Sequence, residues 1–200
     1  NIGYKQLIVD ASASSIRKTN PNVYCDLSAI AKGYGVDAVA SLLNEQNIEN
    51  YFIEIGGEVR CRGLNSERIP WRIGIEKPIA NVRAIHRVVP LHNRSMATSG
   101  SYRNFTRIND QIVSHTIDPR TGRPVSHQVV SVTVIHESCQ WADGYATAIL
   151  VMGEKEGLAF AEKHNLAVLM LIDDGPDNFR EVMSSAFDQI LTAPIENAPD

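Results

Sequence analysis

Two hundred residues suit one domain, or two small lobes around a shared core, and are enough to fold without covalent staples. A formal net charge of −4 with no basic stripe argues against nucleic acid as the main partner, and no apolar run is long enough to span a bilayer. Cys25, Cys61 and Cys139, odd in number and widely spaced, give neither a disulfide framework nor a zinc pattern.

In chain order, residues 5–10 (KQLIVD) read as a strand, the polar stretch after them as a turn, and residues 23–27 (VYCDL) as extended structure. From Ala29 to Glu45 the spacing of Val36, Val39, Ala40 and Leu43 predicts a helix with one buried face. Residues 50–55 form a strand ending in Gly56-Gly57, and residues 58–63 the next. In WRIGIE, Trp71, Ile73 and Ile75 alternate with Arg72, Gly74 and Glu76, the pattern of a half-buried strand. Short strands follow at 88–91, 96–98 and 102–108, and Asn109-Asp110 reads as a turn into QIVSHTI. Residues 128–136, rich in β-branched side chains, form a buried strand. A helix follows, with Ser138 as N-cap and Gly153 as its stop. A second helix covers 154–164, and 166–173 is a core strand. Beyond Ala193 the tail is polar. Strands in consecutive runs, with helices inserted singly or in one pair, define an α+β fold with mixed or antiparallel sheets.

Three stretches have the composition of chemistry. In DLSAIAKGYG (Asp26 to Gly35) an acid precedes a helix start built on small residues. Its free N–H groups and positive dipole end suit a phosphate, and Lys32 adds a full charge. Equally, Asp26 or Ser28 serves as a helix cap. In WADGYATA, Asp143 and Thr147 are four apart on one helix face, two oxygen ligands for a hard cation that also holds substrate phosphate and water. The alternative is a polar stripe, with Thr147 bonded back to a helix carbonyl. In SHTIDPRTGRPV, His115 ends a strand and titrates near neutral pH, as a general base must. Asp118 reads as a turn stabiliser. Arg120 and Arg123 face solvent or guide an anion, and the other histidines read as surface or structural. The glycines of EIGGEV and the hydroxyls of ATSGSYRNF suit either a nucleotide pocket or tight turns.

Taken in order, DLSAIAKGYGVD, IEIGGEV, PWRIGIEKP, TSGSYRNF, SHTIDPRTGRPV and ADGYATAILVMG closely resemble the ApbE family, from about Gly3 to Ala186. The resemblance implies an ApbE-like, T-fold-like flavin transferase fold over residues 1–200. About another hundred N-terminal residues of the family pattern, the N-terminal third of its fold, are expected to be missing. It implies a reaction: FAD is cleaved at its pyrophosphate, FMN is placed on a threonine hydroxyl of a target flavoprotein, and AMP leaves, with Mg²⁺ as the cation. It also implies roles. Asp26, Lys32 and Ile117 contact FAD; Ala29 (through its carbonyl), Asp143 and Thr147 bind Mg²⁺; His115 is the base. The implied acceptors are subunits of Na⁺-pumping quinone oxidoreductase or Rnf type. The implied location is periplasmic, as an inner-membrane lipoprotein in the full-length form. An FAD pyrophosphatase giving FMN and AMP, and a flavin-binding module or inactive truncated form without turnover, are the alternatives.

Overall fold

A computed structural model describes residues 3–79, 83–100, 105–108, 111–114 and 116–193. After a 3₁₀ turn at Tyr4–Gln6, β1 (Leu7–Asp10) and β2 (Ser15–Lys18) pair as an antiparallel hairpin. The polar stretch read as a turn therefore contains a strand. Its side chains stay exposed on both faces, so no periodic burial marks it in the sequence. Residues 23–27 form no strand, although Val23 is buried.

Helix α1 (Ser28–Glu45) leads into β3 (Tyr51–Ile55) and β4 (Glu58–Arg62). Strands β5 (Trp71–Glu76) and β6 (Ile85–Leu91) form a separate hairpin, and β7 (Ser95–Gly100) follows. Strands β8 (Phe105–Ile108) and β9 (Gln111–Ser114) pair with each other, as do the two-residue strands β10 (Ile117–Asp118) and β11 (Arg123–Pro124). The Asn109-Asp110 turn lies outside the described residues. Then come β12 (Val129–His136), α2 (Cys139–Lys163), β13 (Ala167–Asp173), β14 (Phe179–Met183) and α3 (Ser185–Thr192).

The central sheet runs β14-β13-β12-β7-β4-β3, and each neighbouring pair is antiparallel. Strand β13, one in from the β14 edge, is buried on both faces. Val168, Met170 and Ile172 pack toward α2, whereas Ala167, Leu169 and Leu171 pack toward the β5–β6 hairpin and Phe187 of α3. Both faces are covered, so the strand is apolar throughout rather than alternating. Phe187 is fully buried, which stabilises the fold by roughly 1.5–3 kcal/mol through area removed from water. On α1, Val36 and Ala40 enter a third cluster with Tyr51, Ile53 and Cys139. Val39, expected on that face, is exposed. The buried arc of α1 is narrower than the periodicity implied.

Helix α2 is two arms. Gly153 has φ 77° and ψ −174°, a conformation open to glycine and almost nothing else. Across it, the Tyr145 and Phe160 rings lie 6.2 Å apart. In a straight helix they would be separated by about 22 Å along the axis. The chain therefore folds back at Gly153, and the first arm (139–152) and second arm (154–163) pack as an αα-hairpin. This is where the sequence placed the helix stop.

Candidate active site

Contact between α1 and the first arm of α2 is set by Gly33. A Cβ built there would fall 2.4 Å from the Cys139 carbonyl oxygen, so only glycine permits this approach. Asp37, one turn further along α1, locks the junction. Its carboxylate accepts from the Ser138 hydroxyl (2.7 Å), the Cys139 amide (3.0 Å) and the Gln140 amide (3.0 Å), and pairs with Arg60 of β4. It thus satisfies first-turn amides of α2 from another helix. Ser138 also caps α2 as expected, accepting from the Trp141 amide at 3.3 Å. Burial opposes ionisation of Asp37. Its hydrogen bonds from Gln140, Ser138, Cys139 and Arg60 outweigh that, and its pKa lies below the ordinary aspartate value.

At this junction the backbone N–H of Gly33 donates to Asp143 Oδ2 at 3.0 Å. In a regular helix that amide points at the carbonyl four residues back, which is Ala29. The Asp143 carboxylate therefore meets the turn of α1 that runs from Ala29 to Gly33. One turn along the same face, Thr147 shares a 2.9 Å hydroxyl–hydroxyl hydrogen bond with Ser99 of β7. Asp143 is buried, and burial raises its pKa; the Gly33 amide and the Lys32 charge oppose that shift without cancelling it.

Lys32 projects from α1 to an ion pair with Glu58 Oε1 of β4 at 2.5 Å. Glu58 is 1% exposed, and its second oxygen, Oε2, is buried with no hydrogen-bond partner. Burial raises the Glu58 pKa, Lys32 opposes the shift, and the Asp143 charge adds to it. An ammonium has three donors and this side chain is 44% exposed, so Lys32 can hold Glu58 and an anion together.

The remaining expected residues lie further out. Asp26 is exposed and accepts from both the amide and the hydroxyl of Ser28, which organises the first turn of α1. Ile117 is exposed on β10, opposite Pro124. In the same turn, Asp118 accepts from the Arg120 amide at 2.8 Å, and Arg120 continues to Glu156 on the second arm of α2. This ties the turn to the helical hairpin. His115 lies outside the described residues. Of the other histidines, His86 pairs with Glu181 at 2.8 Å, while the Nδ1 atoms of His127 and His136 accept from the amides of Val129 and Ser138. A cavity of about 740 Å³ elsewhere, bordered by His92, Arg94, Glu137 and Asn165, shares no residue with the Asp143 cluster.

What meets at the helix junction is Lys32, Gly33, Glu58 and Asp143, with Thr147 one turn along the Asp143 face of α2. Two residues that hold this junction together were beyond the sequence reading. Asp37 and Glu58 owe their roles to partners 101–103 and 26 residues away. The one local hint was a carboxylate directly after the Gly56-Gly57 turn.

Among the described residues no group of three or more His, Cys, Asp or Glu side chains could hold a metal ion. An ion at Asp143 would have to draw its other ligands from backbone carbonyls, hydroxyls, water or substrate. Such an all-oxygen donor set fits Mg²⁺, which keeps several ligand positions for water and substrate phosphate.

An antiparallel sheet carrying a helical pair on one face and a β-hairpin on the other, with this cluster at the helix junction, is an α+β architecture. The chain belongs to the ApbE family, whose model matches residues 1–170. It is 47% identical over 192 residues to the FAD:protein FMN transferase of Vibrio cholerae serotype O1, covering 95% of this chain and 56% of that relative. The Haemophilus influenzae protein of the same name is 43% identical over 194 residues, covering 94% and 55%. Among solved structures, the flavin transferase ApbE of V. cholerae superposes with a TM-score of 0.82 at 46% identity, over 94% of this chain and 59% of that one. The apo flavinyl transferase ApbE of Pseudomonas stutzeri gives 0.82 at 35% identity, over 96% and 58%. The chain therefore spans little more than half the length of the relatives it matches.

Proposed function

We propose that this chain forms the diphosphate- and cation-gripping part of an FAD:protein FMN transferase. In the reaction, the hydroxyl oxygen of an acceptor threonine bonds to the FMN phosphorus of FAD. The bond to the bridging oxygen breaks, and AMP leaves with that oxygen. The observation that carries this reading is the Gly33–Asp143 hydrogen bond, which sets the α2 carboxylate beside the first turns of α1.

Each residue has a task that follows from its position. Asp143, Thr147 and the Ala29 carbonyl would hold Mg²⁺, which when bound neutralises charge on the phosphate oxygens. Lys32 offers a fixed positive charge to the same diphosphate, and Glu58 restrains its ammonium. Asp26 shapes the turn that opens α1 by accepting from the Ser28 amide and hydroxyl, at the positive end of the helix dipole. His115 is proposed as the base that takes the threonine proton, a contribution of about 10²–10⁴-fold. Phosphoryl transfer needs little more of a protein than such positioning and charge stabilisation. The acceptor class and the periplasmic lipoprotein setting implied by the family resemblance belong to the same proposal.

The test is incubation with FAD, Mg²⁺ and an acceptor flavoprotein subunit, followed by mass spectrometry of the acceptor. A mass gain of one FMN on a threonine supports the transferase. Free FMN and AMP with an unmodified acceptor would indicate hydrolysis instead.

A further inference from the structure

Ser99 is a polar side chain on an apolar face. Along β7, Ala97 and Ser99 share the side of the sheet that packs against α2, because alternate residues of a strand point the same way. The residue in register with Ser99 on β12 is Val132, fully buried in the same apolar cluster. From this setting the Ser99 hydroxyl lies 2.9 Å from Thr147 Oγ1, and either oxygen can be the donor. Helical hydroxyls elsewhere in the chain bond back to the carbonyl four residues earlier, as those of Ser41 and Thr192 do. The Thr147 hydroxyl crosses to the sheet instead.

We infer that Ser99 is a positioning residue for the proposed cation site: its oxygen accepts the Thr147 proton and so turns the Thr147 lone pairs toward the ion. This rests on the cation reading of Asp143 and Thr147 above. A threonine hydroxyl has one proton and two lone pairs. To ligate a cation it must point the proton away from the positive charge, and the proton then needs an acceptor on the far side. Ser99 stands at hydrogen-bond distance to take it. Donation in the opposite sense would occupy a Thr147 lone pair and leave its proton to face the ion. Ser99 is only half-buried, so its own proton can go to water or to a substrate oxygen. Its backbone is fixed by the β12 register, and an acceptor carried on a strand is held more precisely than one on a loop. Partners of this kind, one bond beyond the ligands, typically change metal affinity about 10–100-fold when removed.

The experiment is a Mn²⁺ titration of the chain, with free Mn²⁺ read by electron paramagnetic resonance, on the native protein, Ser99→Ala, Ser99→Thr and Asp143→Asn. Thermal melts without divalent cation are followed in parallel by circular dichroism. Ser99→Ala should weaken Mn²⁺ binding about 10-fold or more, and Ser99→Thr, which keeps the oxygen, should restore it. A lower melting temperature in Ser99→Ala with native Mn²⁺ affinity would assign the hydroxyl pair to packing and overturn the inference. Equal loss of affinity in Ser99→Ala and Ser99→Thr overturns it too, because the acceptor is then not what matters. If Asp143→Asn loses Mn²⁺ while Ser99→Ala binds as native does, the cation reading stands and this inference alone fails. Absence of Mn²⁺ uptake by the native chain removes both.

Discussion

Asp143, on the first arm of α2, takes its hydrogen bond from the backbone of Gly33 on α1, 110 residues away in sequence and 3.0 Å away in space. Helix junction and proposed cation site are thus one object. Whatever spaces the helices also spaces the ligands.

Gly33→Ala tests that spacing. In an ordinary helix interior the change gains about 1 kcal/mol. Here the new Cβ meets the Cys139 carbonyl carbon and oxygen and the Gln140 Cα, all backbone, within 2.8 Å. Overpacking of this kind costs roughly 1–3 kcal/mol, so the sign reverses and the variant melts lower. A melting temperature at or above native would show that the helices do not approach this closely.

Asp37→Asn addresses the lock. Hydrogen bonds to a charged group contribute about 1.5–3 kcal/mol, and a domain of this size loses about 2–4 °C per kcal/mol. The variant should therefore melt several degrees lower at neutral pH. The Asp37 pKa is depressed in the folded state, so its stabilisation is complete above the unfolded value of about 3.9 and fades as pH falls through the folded one. The gap between native and variant should close in acid. A gap independent of pH would assign the loss to packing rather than to the charge.

Asp143→Asn carries the opposite sign. The Asp143 pKa is raised by burial, so its ionised form weakens the fold above that pKa, and the weakening is relieved on acidification. Asparagine still accepts from the Gly33 amide through its side-chain carbonyl. Without divalent cation the variant should be at least as stable as native at neutral pH. Added Mg²⁺ should raise the melting temperature of the native chain only. A Mg²⁺ response retained in Asp143→Asn would place the ion elsewhere.

Gly153→Ala probes the fold-back of α2. The positive φ and the His127 ring, 2.8 Å from the would-be Cβ, both oppose a side chain. The backbone term alone is about 1–3 kcal/mol. Lower stability is expected, because Arg120 reaches the second arm from the 116–125 turn. Native stability would mean that the reversal tolerates an ordinary residue.

What the sequence disclosed was local. Ser138 as a cap, Gly153 as a stop and the two-faced burial of β13 follow from propensities and periods short enough to read along the chain. The sharing of one helix face by Asp143 and Thr147 is also local, as is the order of motifs that marks the family. Hairpin β1–β2 left no periodic signal because neither face is buried, and Val39 was misplaced because α1 buries a narrow arc. Asp37 and Glu58 were illegible for a different reason. A carboxylate on a helix or a strand looks the same whether it faces water or another element's amides, and only the packed fold distinguishes them.

The account rests on two helices presenting oxygen ligands to one cation. Anomalous diffraction from crystals soaked with Mn²⁺ and FAD tests it most directly. A single peak about 2 Å from the Asp143 carboxylate, the Thr147 hydroxyl and the Ala29 carbonyl, in contact with a phosphate oxygen, is the predicted result. A peak remote from Asp143 would contradict it, as would phosphates seated against the protein with no ion between them.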